Sequence, residues 1–284
     1  MKTKLIKILS CMTLSVSMLA GCTAPIVEQG LHYTHLVDKD TQTQVTERLV
    51  EAGIPSSQVD TYMEWVNDFN TRVETPTHLA SGFQQSTKNQ VDYTDLMLTA
   101  KQAEDGRELW EANCRLSSYL LFKNLIHTDH VMVEDAYLMF DLDAIDTMDQ
   151  FAMSEDERGK FITLFNPVTV EEERGLDTHV ASIEESFMQR GLTFVENNKV
   201  TLINLYLHDP YENKRLVGHT GLLIDTGSHL LFVEKYGPFA PFQVTAFKTE
   251  QEMMDYLLAR PDIYSNDGEL APIITKNNKV ISTY

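Results

Sequence analysis

The character of the chain changes at Gly191, and that change limits its fold more than any other feature. Before Gly191, apolar residues recur at helical spacing. Val45, Leu49 and Val50 share a face that ends at Gly53 and Pro55, and Ser56-Ser57 opens a second helix carrying Val59, Tyr62, Met63, Val66 and Phe69. Residues 75–88 are polar and irregular, and further amphipathic stretches span 94–103, 113–126, 133–143, 155–164 and 178–189. After Gly191 the runs 192–209, 216–225 and 229–237 are rich in Val, Leu, Ile, Phe and Tyr and are separated by turn residues such as Asp209-Pro210 and Thr226-Gly227-Ser228. Residues 249–259 return to the helical period, and 273–283 read as a hairpin around Asn277-Asn278. Helices first and strands second predict an α+β fold, a helical N-terminal part packed on a C-terminal antiparallel sheet.

The N-terminus predicts where such a chain resides. MKTKLIKILSCMTLSVSMLAGC begins with Lys2, Lys4 and Lys7, continues as an uncharged apolar stretch and ends in small residues, which is the pattern of a secretory leader. Leu19-Ala20-Gly21-Cys22 resembles the bacterial lipobox, in which the leader is cut before a cysteine that is then acylated. The expectation is a protein held at the cell membrane by lipid on Cys22, on the extracytoplasmic face, with residues 1–22 as leader and anchor, 23–40 as tether and 41–284 as a single domain. A plain signal peptide is the bland alternative.

Of three cysteines, Cys11 then leaves with the leader and Cys22 carries lipid, so Cys114 is the one free thiol and no disulfide can form. A lone thiol outside the cytoplasm is an oxidation liability unless it is buried or used. The formal charge of −19, with 23 basic and 42 acidic residues, argues against nucleic acid or an anionic membrane face as the target and is compatible with a neutral or cationic ligand.

Asn113 is a good N-cap, and Leu116, Tyr119, Leu120 and Leu121 supply an apolar face behind it, so Cys114 is expected in the first turn of a buried helix. Unpaired backbone N–H groups and the helix dipole there favour the thiolate. A nucleophilic thiol needs a base. His32, His35, His78, His127, His130 and His179 fall in polar helix ends or loops and are expected to face solvent, and His208 precedes a turn. His219 differs, because Gly218-His219-Thr220-Gly221 opens a strand with small neighbours. A hairpin loop centred on Thr226-Gly227 sets His219 opposite Glu234, which can then fix its tautomer; a loop slipped by one residue offers Lys235 or Tyr236 instead. Taken singly, FVEK reads as an ordinary edge strand and His219 as a satisfied core histidine; taken together, the three residues read as nucleophile, base and orienting group.

Cysteine at a helix start, then histidine at a strand start, then a polar residue on the next strand resembles the papain-like fold, especially NlpC-type cell-wall endopeptidases and related amidases. The lipobox with ANCRLSSYLL, GHTGLLID and LLFVEKYGPFAPFQVTAF further resembles a family of Gram-positive lipoproteins without an assigned function. What the resemblance implies is a papain-like cysteine hydrolase acting on peptides, among them those of peptidoglycan, with Cys114 as nucleophile, His219 as base and then acid, and Glu234 as the orienting residue. No cofactor or metal is implied. The chain departs from the pattern in reading Asn113-Cys114-Arg115 where NlpC-type sequences usually have Asp-Cys-Ser, and Glu108 where papain-like enzymes often carry glutamine. Asn113, Gln102 and the Cys114 backbone N–H are the candidate oxyanion donors. The prolines in Tyr236-Gly237-Pro238-Phe239-Ala240-Pro241-Phe242 make a loop whose Phe239 and Phe242 either wall a substrate cleft or plug the core. The rival reading is a non-catalytic surface lipoprotein that keeps the cleft for binding.

Overall fold

A computed structural model describes residues 30–133, 137–171, 175–197, 199–260 and 269–283; the expected leader, with Cys11 and Cys22, and the start of the expected tether lie outside the described residues. The chain runs β1 (His32–Thr34), α1 (Lys39–Glu51), α2 (Ser56–Arg72), β2 (Gln84–Gln85), α3 (Cys114–Phe122), β3 (Ile126–His127), α4 (Met139–Thr147), α5 (Glu155–Phe165), β4 (Val168–Thr169) and α6 (Leu176–Gln189). It continues through β5 (Thr193–Phe194), β6 (Val200–Asp209), β7 (Lys214–Asp225), β8 (Leu230–Lys235), β9 (Phe242–Phe247), α7 (Glu250–Leu258), β10 (Ile273–Lys276) and β11 (Lys279–Thr283). The expected α+β class is what the structure has.

Nine strands form one antiparallel sheet in the order β11-β10-β6-β7-β8-β9-β1-β2, with β4 on β7; β3 and β5 pair separately. Alternate residues of the central strands feed two cores. Leu202, Leu222, Val233 and Val244 face the large core built with α1, α2, α3, α5 and α6, whereas Ile203, Leu223, Phe232 and Phe247 face a smaller one closed by Met253, Tyr256 and Leu257 of α7. Both faces of the central strands are therefore covered, which is why β7 and β8 read as near-continuous apolar runs. Side-chain caps start the helices: Asp38 for α1, Asn113 for α3, the reciprocal Ser154–Glu157 box for α5 and Thr249 for α7.

Four expectations need correction. The expected tether over 23–40 does not hold through its second half, because His32–Thr34 already pairs with β9. Residues 94–103 are not helical: Leu96 and Leu98 pack toward the core while Met97 between them is 57% exposed, a period of two that suits extended chain, and Val73 pairs with Leu98. Where a helix was expected over 133–143, α4 begins only at Met139. His35 and His179 are buried rather than solvent-facing, because each finds polar partners inside: the Ala80 N–H donates to His35 Nδ1 (2.7 Å), and Arg215 Nε donates to His179 Nδ1 (3.0 Å).

Candidate active site

Cys114 is the first residue of α3, and what holds it there is local. Asn113 Oδ1 accepts the Leu116 N–H (3.0 Å), and seven of the nine residues of α3 are buried. Arg115 then ties the helix start to the sheet. Its Nη1 donates to the Val217 carbonyl (3.0 Å), two residues before His219, while Nε and Nη2 grip the fully buried Asp141 of α4 (3.2 and 2.7 Å). Arg115, which looked out of place beside a nucleophile, is the strut that spaces Cys114 from β7.

His219 sits at a β-bulge. Leu205 pairs with His219 but Tyr206 pairs with Val217, leaving Gly218 as the extra residue. A Cβ at 218 would lie 2.3 Å from Leu207 Cδ1, and one at 221 would lie 2.4 Å from Phe232 Cζ and 2.9 Å from the Val233 carbonyl, so neither position admits a side chain without displacing its neighbour.

The hairpin register is not the one expected. Leu222 pairs with Val233 and Asp225 with Leu230, so the loop comprises residues 226–229 and its centre lies one residue later. Continuing the ladder sets Gly221, not His219, across from Glu234. The two candidate side chains nevertheless meet, because His219 is the diagonal neighbour and the glycine between them leaves the way clear. His219 Nε2 lies 2.6 Å from Glu234 Oε2, and both residues are buried.

Glu234 is surrounded by donors. Arg260 Nη1 donates to Oε2 (3.1 Å), Tyr256 Oη donates to Oε1 (2.6 Å) and Gln243 Nε2 reaches Oε1 (3.3 Å). Arg260 Nη1 also lies 3.1 Å from His219 Nε2. A guanidinium can only donate, and a carboxylate only accept, so the consistent arrangement has His219 Nε2–H donating to Glu234 and Nδ1 free to face the thiol. Arg260 directly follows the cap of α7; it also stacks over the Tyr236 ring (3.7 Å) and donates to the Tyr236 carbonyl (2.8 Å). Arg260, Tyr256 and Gln243 escape a reading of the sequence, since their distance from β7 along the chain hides that they converge on one carboxylate.

The electrostatics favour an ion pair. Burial alone pushes the Cys114 thiol up, but its hydrogen bond to His219, the His219 charge and Arg115 outweigh burial and the opposing Asp141, and hold it below the ordinary thiol range. The His219 imidazole is pushed down by burial and by Arg260, yet Cys114 and Glu234 together raise it above its usual value. A thiol pulled down beside an imidazole pushed up is the arrangement in which the proton transfers from sulfur to nitrogen.

The remaining candidates separate. The Asn113 carboxamide is engaged at both ends, Oδ1 on the helix cap and Nδ2 on Asp141 (2.6 Å), so it is not a free oxyanion donor. Gln102 and Glu108 are exposed and pair with each other through the backbone. Phe242 is buried against Tyr62 and Phe69 and belongs to the core, whereas Phe239 is 70% exposed at the tip of its loop; the two do not form one wall. That loop is pinned from below by Lys235. Its buried ammonium donates to the carbonyls of Gly237 (3.0 Å), Pro238 (3.1 Å) and Ala240 and lies over the Phe69 ring (3.9 Å). Burial pushes the Lys235 amine down to about 7. Among the described residues, no group of three or more His, Cys, Asp and Glu side chains is placed to hold a metal ion, and no helix is long and apolar enough to cross a membrane.

The chain belongs to the family described as a domain of unknown function, DUF4300, whose model matches residues 32–281. No curated protein and no solved structure matches it.

Proposed function

We propose that the protein is a papain-like cysteine hydrolase of the cell envelope, anchored by lipid on Cys22 outside the cytoplasm, and that it cleaves amide bonds by acyl transfer. The observation that carries this reading is the single hydrogen-bonded file Cys114–His219–Glu234, with the thiol lowered, the imidazole raised and the carboxylate held by four donors.

The Cys114 thiolate adds to the amide carbonyl carbon. The oxyanion formed is met by the Cys114 backbone N–H, which like the other first-turn amides of a helix has no intrahelical partner. As the C–N bond breaks, the His219 imidazolium gives its Nδ1 proton to the leaving amine. Neutral His219 then takes a proton from water, the hydroxide attacks the thioester, the C–S bond breaks and the acid is released. Glu234 keeps the ring in the one tautomer that serves both steps. Peptidoglycan stem peptides are the proposed substrate class, on the strength of the lipobox and the resemblance to NlpC-type enzymes.

The test is to incubate the full-length chain in detergent with muropeptides, with Cys114→Ala as control. Cleavage that disappears in the variant supports the reading; no cleavage by the wild type, together with Cys114 that an electrophilic probe labels only after unfolding, overturns it. A second reading, a non-catalytic binding lipoprotein, is favoured by two observations: Cys114 is only 8% exposed, and Asn113 is not free to stabilise an oxyanion. It predicts muropeptide binding that Cys114→Ala leaves unchanged.

A further inference from the structure

Behind Glu234 runs a line of buried and half-buried polar groups that the proposed chemistry does not itself use. His35 Nε2 lies 2.6 Å from Tyr93 Oη, Tyr93 Oη contacts Gln243 Oε1, and Gln243 Nε2 reaches Tyr256 Oη (2.9 Å) and Thr245 Oγ1 (2.8 Å). The direction of every hydrogen in this line follows from one end. The Ala80 N–H can only donate, so His35 Nδ1 accepts it and Nε2 carries the proton. Burial keeps the His35 imidazole neutral, its pKa down at about 3. His35 therefore donates to Tyr93 Oη, and Tyr93, whose own proton burial and the Glu234 charge hold firmly, must donate onward to Gln243 Oε1. That contact settles which way the Gln243 amide faces: its NH2 points at Tyr256, Thr245 and Glu234. Tyr256 Oη, having accepted from Gln243, donates to Glu234 Oε1.

We propose that His35, Tyr93 and Gln243 are positioning residues whose ordered hydrogen bonds hold the Glu234 carboxylate toward His219 and so fix the His219 tautomer that faces Cys114. The inference deepens the hydrolase reading and rests on its assignment of Glu234. Its physical content is a removal of alternatives. A carboxamide with no fixed partner on oxygen can turn over and present that oxygen to Tyr256, and Tyr256 would then donate to Gln243 instead of Glu234. With the file intact, that flip would set Gln243 NH2 against the Tyr93 hydroxyl, whose O–H would then face a donor in place of its acceptor. The file also spans three separate segments: His35 follows β1, Gln243 lies on β9, and Tyr93 lies on the connection from β2 to α3, the stretch that delivers Cys114. The segment carrying the nucleophile and the carboxylate orienting the base are thus fixed to one another.

The test measures alkylation of Cys114 in the full-length chain by iodoacetamide across pH 5 to 9, resolved from Cys11 and Cys22 by peptide mass spectrometry, with thermal unfolding measured on the same samples. Tyr93→Phe removes one hydroxyl without changing shape, and Gln243→Leu removes the amide; both should raise the midpoint of the Cys114 profile and slow alkylation at pH 6.5 about fivefold to tenfold. Leu257→Ala, in the small core but outside the file, controls for loss of stability and should leave the midpoint in place. If Tyr93→Phe and Gln243→Leu lower stability as Leu257→Ala does while the midpoint stays at the wild-type value, the residues are structural only and the proposal falls. Glu234→Gln separates this from failure of the hydrolase reading: if it too leaves the midpoint unmoved, the triad assignment is at fault. A shifted midpoint without muropeptide cleavage keeps the positioning role and rejects only the substrate.

Discussion

Replacing Glu234 by Gln changes one oxygen for one nitrogen in a site with no room to adjust, which makes its cost calculable. Gln can still accept at Oε1 from Tyr256 and Gln243, but its NH2 would face Arg260 Nη1 and His219 Nε2–H, both donors. Two charge-assisted hydrogen bonds are lost, worth roughly 1.5–3 kcal/mol each. The Arg260 side chain, 1% exposed, loses the Glu234 carboxylate that lies 3.1 Å from it. Breaking a buried pair from one side costs about 3–5 kcal/mol by comparable measurements, so the two routes agree. For a domain of this length, 1 kcal/mol moves Tm by about 2–4 °C, which places Glu234→Gln about 6–20 °C below wild type. The imidazolium loses its counter-charge as well. One lost bond of about 1.4 kcal/mol corresponds to one pH unit, so Cys114 alkylation at pH 6.5 should fall at least about tenfold. Differential scanning calorimetry and pH-resolved alkylation read the two effects. Adding Arg260→Met should restore part of the stability, because the buried cation that Glu234 balanced is gone with it, giving a coupling of about 1–3 kcal/mol in a double-mutant cycle. A Glu234→Gln protein that melts within about 2 °C of wild type, or costs that simply add, would refute the account of Glu234 as a saturated buried anion.

Three further outcomes follow from individual contacts. The unfolded chain protonates His35 near the ordinary 6.5 while the fold holds it down to about 3, so stability should rise with pH across that window by up to about 1.4 kcal/mol per unit and be insensitive to this group below it; His35→Leu should flatten the acid limb in urea unfolding, and an unchanged slope would contradict the burial argument. Gly221→Ala drives a methyl into the Phe232 ring and the Val233 carbonyl and should cost about 1–3 kcal/mol by thermal unfolding; a neutral result would mean that the strands part more easily than their spacing implies. Arg115→Met removes three donors from Asp141 and Val217 and should cost roughly 3 kcal/mol, and Arg115→Lys should not restore it, because an ammonium cannot span the fork; full rescue by Lys would reduce Arg115 to a point charge.

What the sequence made legible divides along the range of the interactions. The helix carrying Cys114 was readable because cap and apolar face lie within a few residues of each other, and the strands β6 to β8 because both their faces are buried and their composition is unambiguous; β9, entered directly from the proline-containing loop, was not read as a strand. The pairing of His219 with Glu234 was expected from a direct cross-strand register, whereas it occurs diagonally: the 226–229 loop, closed by the Thr226 side chain on the His229 backbone, is centred one residue later than the pattern suggested, and Gly221 permits the diagonal reach. Residues 94–103 misled because three successive apolar residues fit helix and extended chain alike, and only the neighbouring Val73 decides between them. Least legible was the surround of Glu234. Tyr93, Gln243, Tyr256 and Arg260 come from separate segments, and nothing local marks any of them as part of a site.

The cost of that surround bears on which functional reading the molecule favours. The face of the sheet under α7 is otherwise an ordinary small core of Leu, Ile, Phe and Met, and apolar residues in place of a buried carboxylate, guanidinium and imidazole would generally serve such a core as well or better. A surface lipoprotein that only binds would gain nothing from them, since the whole cluster lies beneath the sheet surface at 1–2% exposure, where no ligand could touch most of it. What the cluster does is act outward through one atom, His219 Nδ1, on a thiol that would otherwise be raised by burial and is instead lowered. Local rules of packing are broken where function requires it, and here the break leads from Arg260 and Glu234 through His219 to Cys114. The low exposure of the thiol does not offset this argument, because a binding protein has no use for a lowered thiol that nothing reaches, whereas a hydrolase needs only that the substrate displace what covers it.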